Sequence, residues 1–205
     1  GMFAGHADSL YAAVLSPDGK LLATSSYDQL IKLWDVASGK DMRTLTGHND
    51  AVFDLAFRPD GKILASASGD RTVKLWSVAD GQRLDTLSQP LKDVYCVAFS
   101  PDGKTLVSGS VDSRIRIYKI SDTAAEQTNP LVVARFAHEG AVLKLAFSAD
   151  GKTLATSGED RAVRLWTTKD YTERDSLEQS DWAPGLAIAP DSKSLAVGRL
   201  DGTFA

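Results

Sequence analysis

All three histidines of the chain, His6, His48 and His138, hold one slot, ten residues ahead of a recurring phrase that opens Ser-Pro-Asp-Gly, Arg-Pro-Asp-Gly or Ser-Ala-Asp-Gly. Eighteen residues after each comes a hydroxyl (Thr24, Ser66, Thr156), and four residues later a carboxylate (Asp28, Asp70, Asp160). A base, a hydroxyl and an acid are the parts of a Ser-His-Asp hydrolase, in which the carboxylate orients the imidazole that activates the nucleophile. Three imidazoles are also the ligand set of an open zinc site. Both chemistries depend on how many copies of the set exist and on which elements hold them.

The phrase from Ser16 to Thr24, SPDGKLLAT, returns from Arg58, Ser100 and Ser148 and, worn to APDSKSLAV, from Ala189, at intervals of 42, 42, 48 and 41 residues. Self-similarity at a fixed spacing of this length marks a repeat architecture. Within the second repeat, the apolar run 51–57 ends at a turn rich in Pro and Gly. Residues 63–67, 72–77 and 82–87 then give three more strands separated by short polar turns. The same reading places strands near 10–15, 20–26, 30–35 and 41–46, then 94–99, 105–110, 114–120 and 131–136, then 141–147, 153–158, 162–167 and 172–177. Loops this short admit no crossover helix, so each repeat is an antiparallel meander. Such sheets bury both faces only by stacking radially. The interval of 48 is taken up by Ser121 to Pro130, read as a surface loop.

Gly47-His48, the run Ser66 to Asp70, Val73-Lys74-Leu75-Trp76 and the Leu33-Trp34-Asp35 of the first repeat resemble the WD-repeat β-propellers. The resemblance runs along essentially the whole chain. It implies an all-β propeller of four-stranded antiparallel blades, about four complete with a partial fifth, at 5–46, 47–87, 88–136, 137–177 and 178–205. It also implies a structural tetrad in which the turn Asp bonds His, His bonds the hydroxyl, and the hydroxyl accepts from an indole. Those sets are His6, Thr24, Asp28 and Trp34; His48, Ser66, Asp70 and Trp76; and His138, Thr156, Asp160 and Trp166. In the third repeat Pro90 and Tyr118 stand where His and Trp belong, so no tetrad forms there. In the fifth, Gln179 and Val197 break the pattern and only Asp201 survives.

On this frame the hydrolase reading fails, because the constellation recurs in three blades and no Gly-x-Ser-x-Gly elbow supplies an exposed nucleophile. The zinc reading fails because equivalent slots on neighbouring sheets lie about 10 Å apart. The Asp-Gly turns lack the alternating carboxylates of a calcium loop. No catalytic residue, metal or cofactor is expected. A net charge of −4 and a pI near 5.4 argue against nucleic acid and anionic membrane as partners. The single Cys96 excludes an internal disulfide and reads as a buried small hydrophobe.

What remains is recognition. Propellers of this family often dock partners on the face that carries the loops leading into the first strand. By repeat position, Tyr11, Tyr27, Phe53, Asp93, Tyr95, Leu143 and Trp182 share that face here. The expected function is a non-catalytic scaffold for a protein or peptide. The alternatives are an accessory domain of a larger enzyme, or a small-molecule or glycan binder at the channel mouth. No apolar run approaches the ~18 residues of a membrane span and no signal segment opens the chain, which points to the cytoplasm. Gly1-Met2 resembles a scar of tag removal. Met2-Phe3-Ala4 fits the end of a preceding fourth strand, and 202–205 lie inside a third. Two arrangements follow: a five-bladed ring closed by a clasp of first and last strands, or a fragment of a longer propeller whose open ends self-associate.

Overall fold

Each Asp-Gly phrase folds as the turn between the first two strands of a sheet. Ser16 Oγ donates to Asp18 Oδ1 (2.6 Å), and the same carboxylate accepts the Lys20 N–H. Gly19, Gly61, Gly103 and Gly151 sit at φ of 70, 71, 68 and 70°, a conformation that costs a residue with Cβ. The worn fifth phrase puts Ser192 there, at φ 61°.

The computed structural model describes residues 5–205; the Met2-Phe3-Ala4 segment and Gly1 lie outside the described residues. Four meanders follow one another. The first holds β1 (Leu10–Leu15), β2 (Leu21–Ser26), β3 (Ile31–Asp35) and β4 (Asp41–Leu45). The second holds β5 (Val52–Phe57), β6 (Ile63–Ser68), β7 (Val73–Ser77) and β8 (Arg83–Leu87), and the third β9 (Val94–Phe99), β10 (Thr105–Ser110), β11 (Arg114–Lys119) and β12 (Leu131–Phe136). The fourth holds β13 (Val142–Phe147), β14 (Thr153–Gly158), β15 (Ala162–Thr167) and β16 (Thr172–Glu178). A fifth sheet has β17 (Gly185–Ile188) and β18 (Leu195–Gly198), with a bridge from Gly198 to Phe204 beginning a third strand. Every pairing is antiparallel, and no helix occurs among the described residues.

The sheets stack as propeller blades because each strand alternates its side chains between two apolar faces. Leu64 and Trp76 pack with Ala23 and Leu33 of the first sheet, while their neighbours Ala65 and Leu75 pack with Leu106 and Tyr118 of the third. Val107 and Ile117 then meet Leu154 and Trp166 of the fourth, and Val163 meets Val197 of the fifth. The second sheet, covered on both faces, therefore buries β6 throughout, whereas β16 is exposed along its length. Strands β1, β5, β9, β13 and β17 pack side by side as the innermost row. Across it Lys144 Nζ reaches Asp54 Oδ1 (2.9 Å), and Asp54 also accepts the Val97 N–H, tying three sheets together.

The insertion at 121–130 is a surface loop, exposed at 122–123, 126–128 and 130, but it is anchored at two points, Ala124 and Asn129. Ala124 is fully buried in the core between the second and third sheets. Asn129 Nδ2 donates to the buried Asp85 of β8 (2.7 Å), and the Arg58 guanidinium donates to the carbonyls of Ser121 and Asp122. The extra residues bind the third sheet back onto the second. Cys96 is fully buried, and burial pushes its thiol pKa up, out of the reactive range.

Candidate functional site

In the second sheet the turn Asp70 accepts from His48 Nδ1 (2.7 Å), from the Asn49 N–H and from the Thr72 N–H and hydroxyl. A carboxylate can only accept, so Nδ1 carries the ring proton. Burial holds the His48 pKa below its ordinary value against the upward pull of Asp70, so the ring is neutral and Nε2 is an acceptor. Ser66 Oγ donates to it (2.6 Å) and itself accepts from Trp76 Nε1 (2.8 Å). The first sheet repeats this, with His6 joining Asp28 (2.9 Å) and Thr24 (2.8 Å), and Trp34 donating to Thr24 (2.8 Å). So does the fourth, with His138 joining Asp160 (2.8 Å) and Thr156 (2.8 Å), and Trp166 donating to Thr156 (3.0 Å). The hydroxyls of Ser66 and Thr156 are wholly buried, their protons held by imidazole and their lone pairs by indole. Nothing about them is arranged for attack on a substrate.

Desolvation raises the pKa of Asp70, but the bonds from His48, Thr72 and Asn49 outweigh it and hold the carboxyl well below the usual carboxylate range. Asp160 follows the same balance with Glu139 and His138. Among the described residues, no group of three or more His, Cys, Asp or Glu could hold a metal ion.

The third sheet solves the same problem differently. Pro90 offers no ring nitrogen, and Asp112 instead accepts both terminal nitrogens of Arg116 (3.0 and 2.7 Å) together with the Leu91 N–H. The equivalent Lys32 turns away to Asp41 and Thr44, and Lys74 to Thr86. Arg164 in the fourth sheet joins His138 on Asp160. The sequence marks this position as basic in four repeats but does not say which way the side chain turns. Ser108 Oγ and Tyr118 OH, the relics of the tetrad, make no hydrogen bond. Burial pushes the Tyr118 phenol up to about 12.

Four of the seven residues expected on the loop face share a backbone device that sequence reasoning missed. In β1, β5, β9 and β13 the register with the second strand slips by one residue, and the residues passed over are Tyr11, Phe53, Tyr95 and Leu143. A bulge re-aims its side chain out of the pleat. Three of the four are aromatic, and they form a row. Tyr11 meets Phe53 edge to face with centroids 5.0 Å apart, Phe53 meets Tyr95 edge to face at 5.1 Å, and Tyr27 stands 6.5 Å from Tyr11. Tyr11 and Tyr27 keep about half their surface in water (49% and 54%). Each such pair adds about 0.5–1.5 kcal/mol beyond its burial, so the row is a set arrangement of side chains. Asp93 lies at its end, half-buried; burial, and after it the charges of Asp93 and Glu159, raise the Tyr95 pKa. Leu143 continues the bulge series without a ring. Trp182 is 41% exposed in the loop before β17, but no ring contact joins it to the row among the described residues, and Pro184 takes the bulge position there.

A cleft of about 550 Å³ lies along the fourth sheet, lined by Glu139, Asp160, Arg164, Ser176, Glu178 and Ser180, without an aromatic side chain. Another of about 320 Å³, between the Asp-Gly turns at the end opposite the row, is lined by Arg58, Asp60, Lys62, Asp102, Lys104 and Asp122, with no aromatic side chain. Among the described residues no helix is long and apolar enough to cross a membrane.

The sequence model of the family described as "WD domain, G-beta repeat" matches residues 1–35, 39–77, 81–119 and 131–167. The last three matches open at or just ahead of the outermost strands β4, β8 and β12 and close at the third strands β7, β11 and β15, so the sequence repeat is offset from the sheet by one strand. A stretch of 44 residues is 46% identical to the protein named "Probable E3 ubiquitin ligase complex SCF subunit sconB" in Arthroderma benhamiae, and equally so in Trichophyton verrucosum and Arthroderma otae. That stretch is 22% of this chain and spans only 6% of the length of each of those relatives. With four matched repeats that together cover most of its length, the chain belongs to the WD domain, G-beta repeat family.

Proposed function

We propose that the protein is a non-catalytic, cytoplasmic interaction scaffold that binds a protein or peptide on its loop face, and that the His-centred sets are structural. The observation that carries this reading is the aromatic row. Successive bulges aim Tyr11, Phe53 and Tyr95 out of three separate sheets into one continuous strip. Aromatic anchors held by neighbours lose little conformational freedom when a partner covers them, which is why such residues dominate binding energy at interfaces. The buried, saturated hydroxyls of the His-centred sets support the non-catalytic part. A small-molecule reading is less well supported, since the clefts of about 320 and 550 Å³ have no aromatic lining and neither includes a residue of the row.

The test is affinity capture from a lysate of the source cells, comparing the protein with a Phe53→Ala/Tyr95→Ala variant. The variant is expected to keep its far-ultraviolet circular dichroism and to lose capture by about thirtyfold, the scale of one strong anchor. Capture undiminished in a folded variant rejects the loop face as the binding surface.

A further inference from the structure

The aromatic row has a charge to satisfy. Asp93 is half-buried beside Tyr95, and its carboxylate makes no hydrogen bond or ion pair among the described residues. The other complete repeats have Ser9, Ala51 and Ala141 at the Asp93 position, and the other acids of these loops are committed: Asp8 and Asp50 each cap the next backbone N–H, and Glu159 accepts the Ala141 N–H. Among the described residues Lys144, the one cation within the innermost strands, is spent on Asp54, and Lys92, the exposed chain neighbour of Asp93, makes no ion pair with it. The strip thus combines aromatic faces, which carry the negative lobes of their quadrupoles, with one uncommitted carboxylate and a second, Glu159, close enough to act on Tyr95. A neutral or acidic ligand leaves that negative potential uncompensated, whereas a cation meets both parts of it at once.

We infer that the seat formed by Phe53, Tyr95 and Asp93 takes an Arg or Lys side chain of a basic peptide segment, placed over the aromatic rings and paired with the Asp93 carboxylate. The inference rests on the loop face being a protein-binding surface and specifies the chemistry of what it binds. Arg suits the geometry better than Lys, because a planar guanidinium can stack on a ring while donating to a carboxylate.

Fluorescence anisotropy with three dye-labelled dodecapeptides of repeating Gly-Ser-Arg, Gly-Ser-Leu and Gly-Ser-Glu tests it. The Arg peptide is expected to bind, and to bind about tenfold more weakly to Asp93→Asn and to Phe53→Ala. It should bind unchanged to Asp175→Asn, a variant of an exposed acid on the outermost β16. The Leu and Glu peptides should bind at least tenfold more weakly than the Arg peptide. Two results overturn the inference: Asp93→Asn binding the Arg peptide as well as the parent does, or Asp175→Asn losing as much, which would reveal diffuse attraction to an acidic protein. If the Leu or Glu peptide binds best and depends on Phe53, the cationic seat falls and the loop-face reading survives. If neither peptides nor a captured partner depend on Phe53, both fall.

Discussion

The second and third sheets share a backbone plan and differ in how they fasten it. Both need the turn Asp held at the top of the sheet, and both deliver to it the backbone N–H of the residue after the His or Pro slot, Asn49 in one and Leu91 in the other, with the Thr72 N–H added in the second sheet. The second sheet adds neutral His48 and passes the connection through Ser66 to Trp76, so one chain of hydrogen bonds runs from the turn into the apolar interface. The third uses a charge, with Arg116 gripping Asp112 by two nitrogens, and leaves Ser108 and Tyr118 without partners below it. One fold thus tolerates two solutions: a neutral relay that satisfies every polar atom, or a buried ion pair that satisfies the turn and abandons the rest.

The largest effect expected from this contrast is at the ion pair. Arg116→Met strands a buried carboxylate and should cost about 3–5 kcal/mol, whereas Lys74→Met, at the same position of the second sheet, loses only a 3.5 Å contact to Thr86 and should cost under about 1 kcal/mol. Urea denaturation of the two variants measures the difference. Adding Asp112→Asn to Arg116→Met should recover most of the loss; additive losses would mean that the pair is not what holds the third turn.

A smaller contrast separates the two hydroxyls. Ser66→Ala removes the node between imidazole and indole and leaves both unpaired, at about 1–3 kcal/mol. Ser108→Ala deletes a hydroxyl without a partner and should fall within about 0.5 kcal/mol of the parent. Equal losses at the two sites would erase the distinction between the sheets.

Much of this was legible in the sequence, for physical reasons. Strands and turns are set by local pattern, so the alternation and the Asp-Gly phrases locate β1 to β16 to within a residue or two. The apolar alternation on both faces announces stacking. What local pattern cannot carry is direction and reach. The bulges at Tyr11, Phe53 and Tyr95 look like any alternating run, because a one-residue slip shows only in the partner strand's register. Arg116 and Lys74 occupy one position yet turn opposite ways, since guanidinium and ammonium find different partners. Asn129 reaches Asp85 across 44 residues, a contact that exists only once two sheets have stacked.

The smallest effect sharpens the comparison through protons. Burial holds His48 and His138 below their ordinary pKa of 6.5 in the folded protein, so as pH falls the unfolded chain takes up protons first. Their contribution is complete above about pH 6.5 and declines below it, towards the folded pKa. The turn carboxylates Asp28, Asp70, Asp112 and Asp160, all held below the ordinary 3.8, keep their contribution until pH falls through that value. The melting temperature should therefore fall in two stages, a shallow one below pH 6.5 and a steep one below pH 4. The first is the signature of the second and fourth sheets, because the third has no histidine to titrate. Each pKa unit of depression amounts to about 1.4 kcal/mol, and a kilocalorie to about 2–4 °C in a chain of this size. Circular dichroism melts from pH 8 to 5 measure it, and His48→Gln/His138→Gln should flatten the curve in that range. A slope that persists in the variant would place the titrating groups outside the relay and dissolve the difference drawn between the two fastenings.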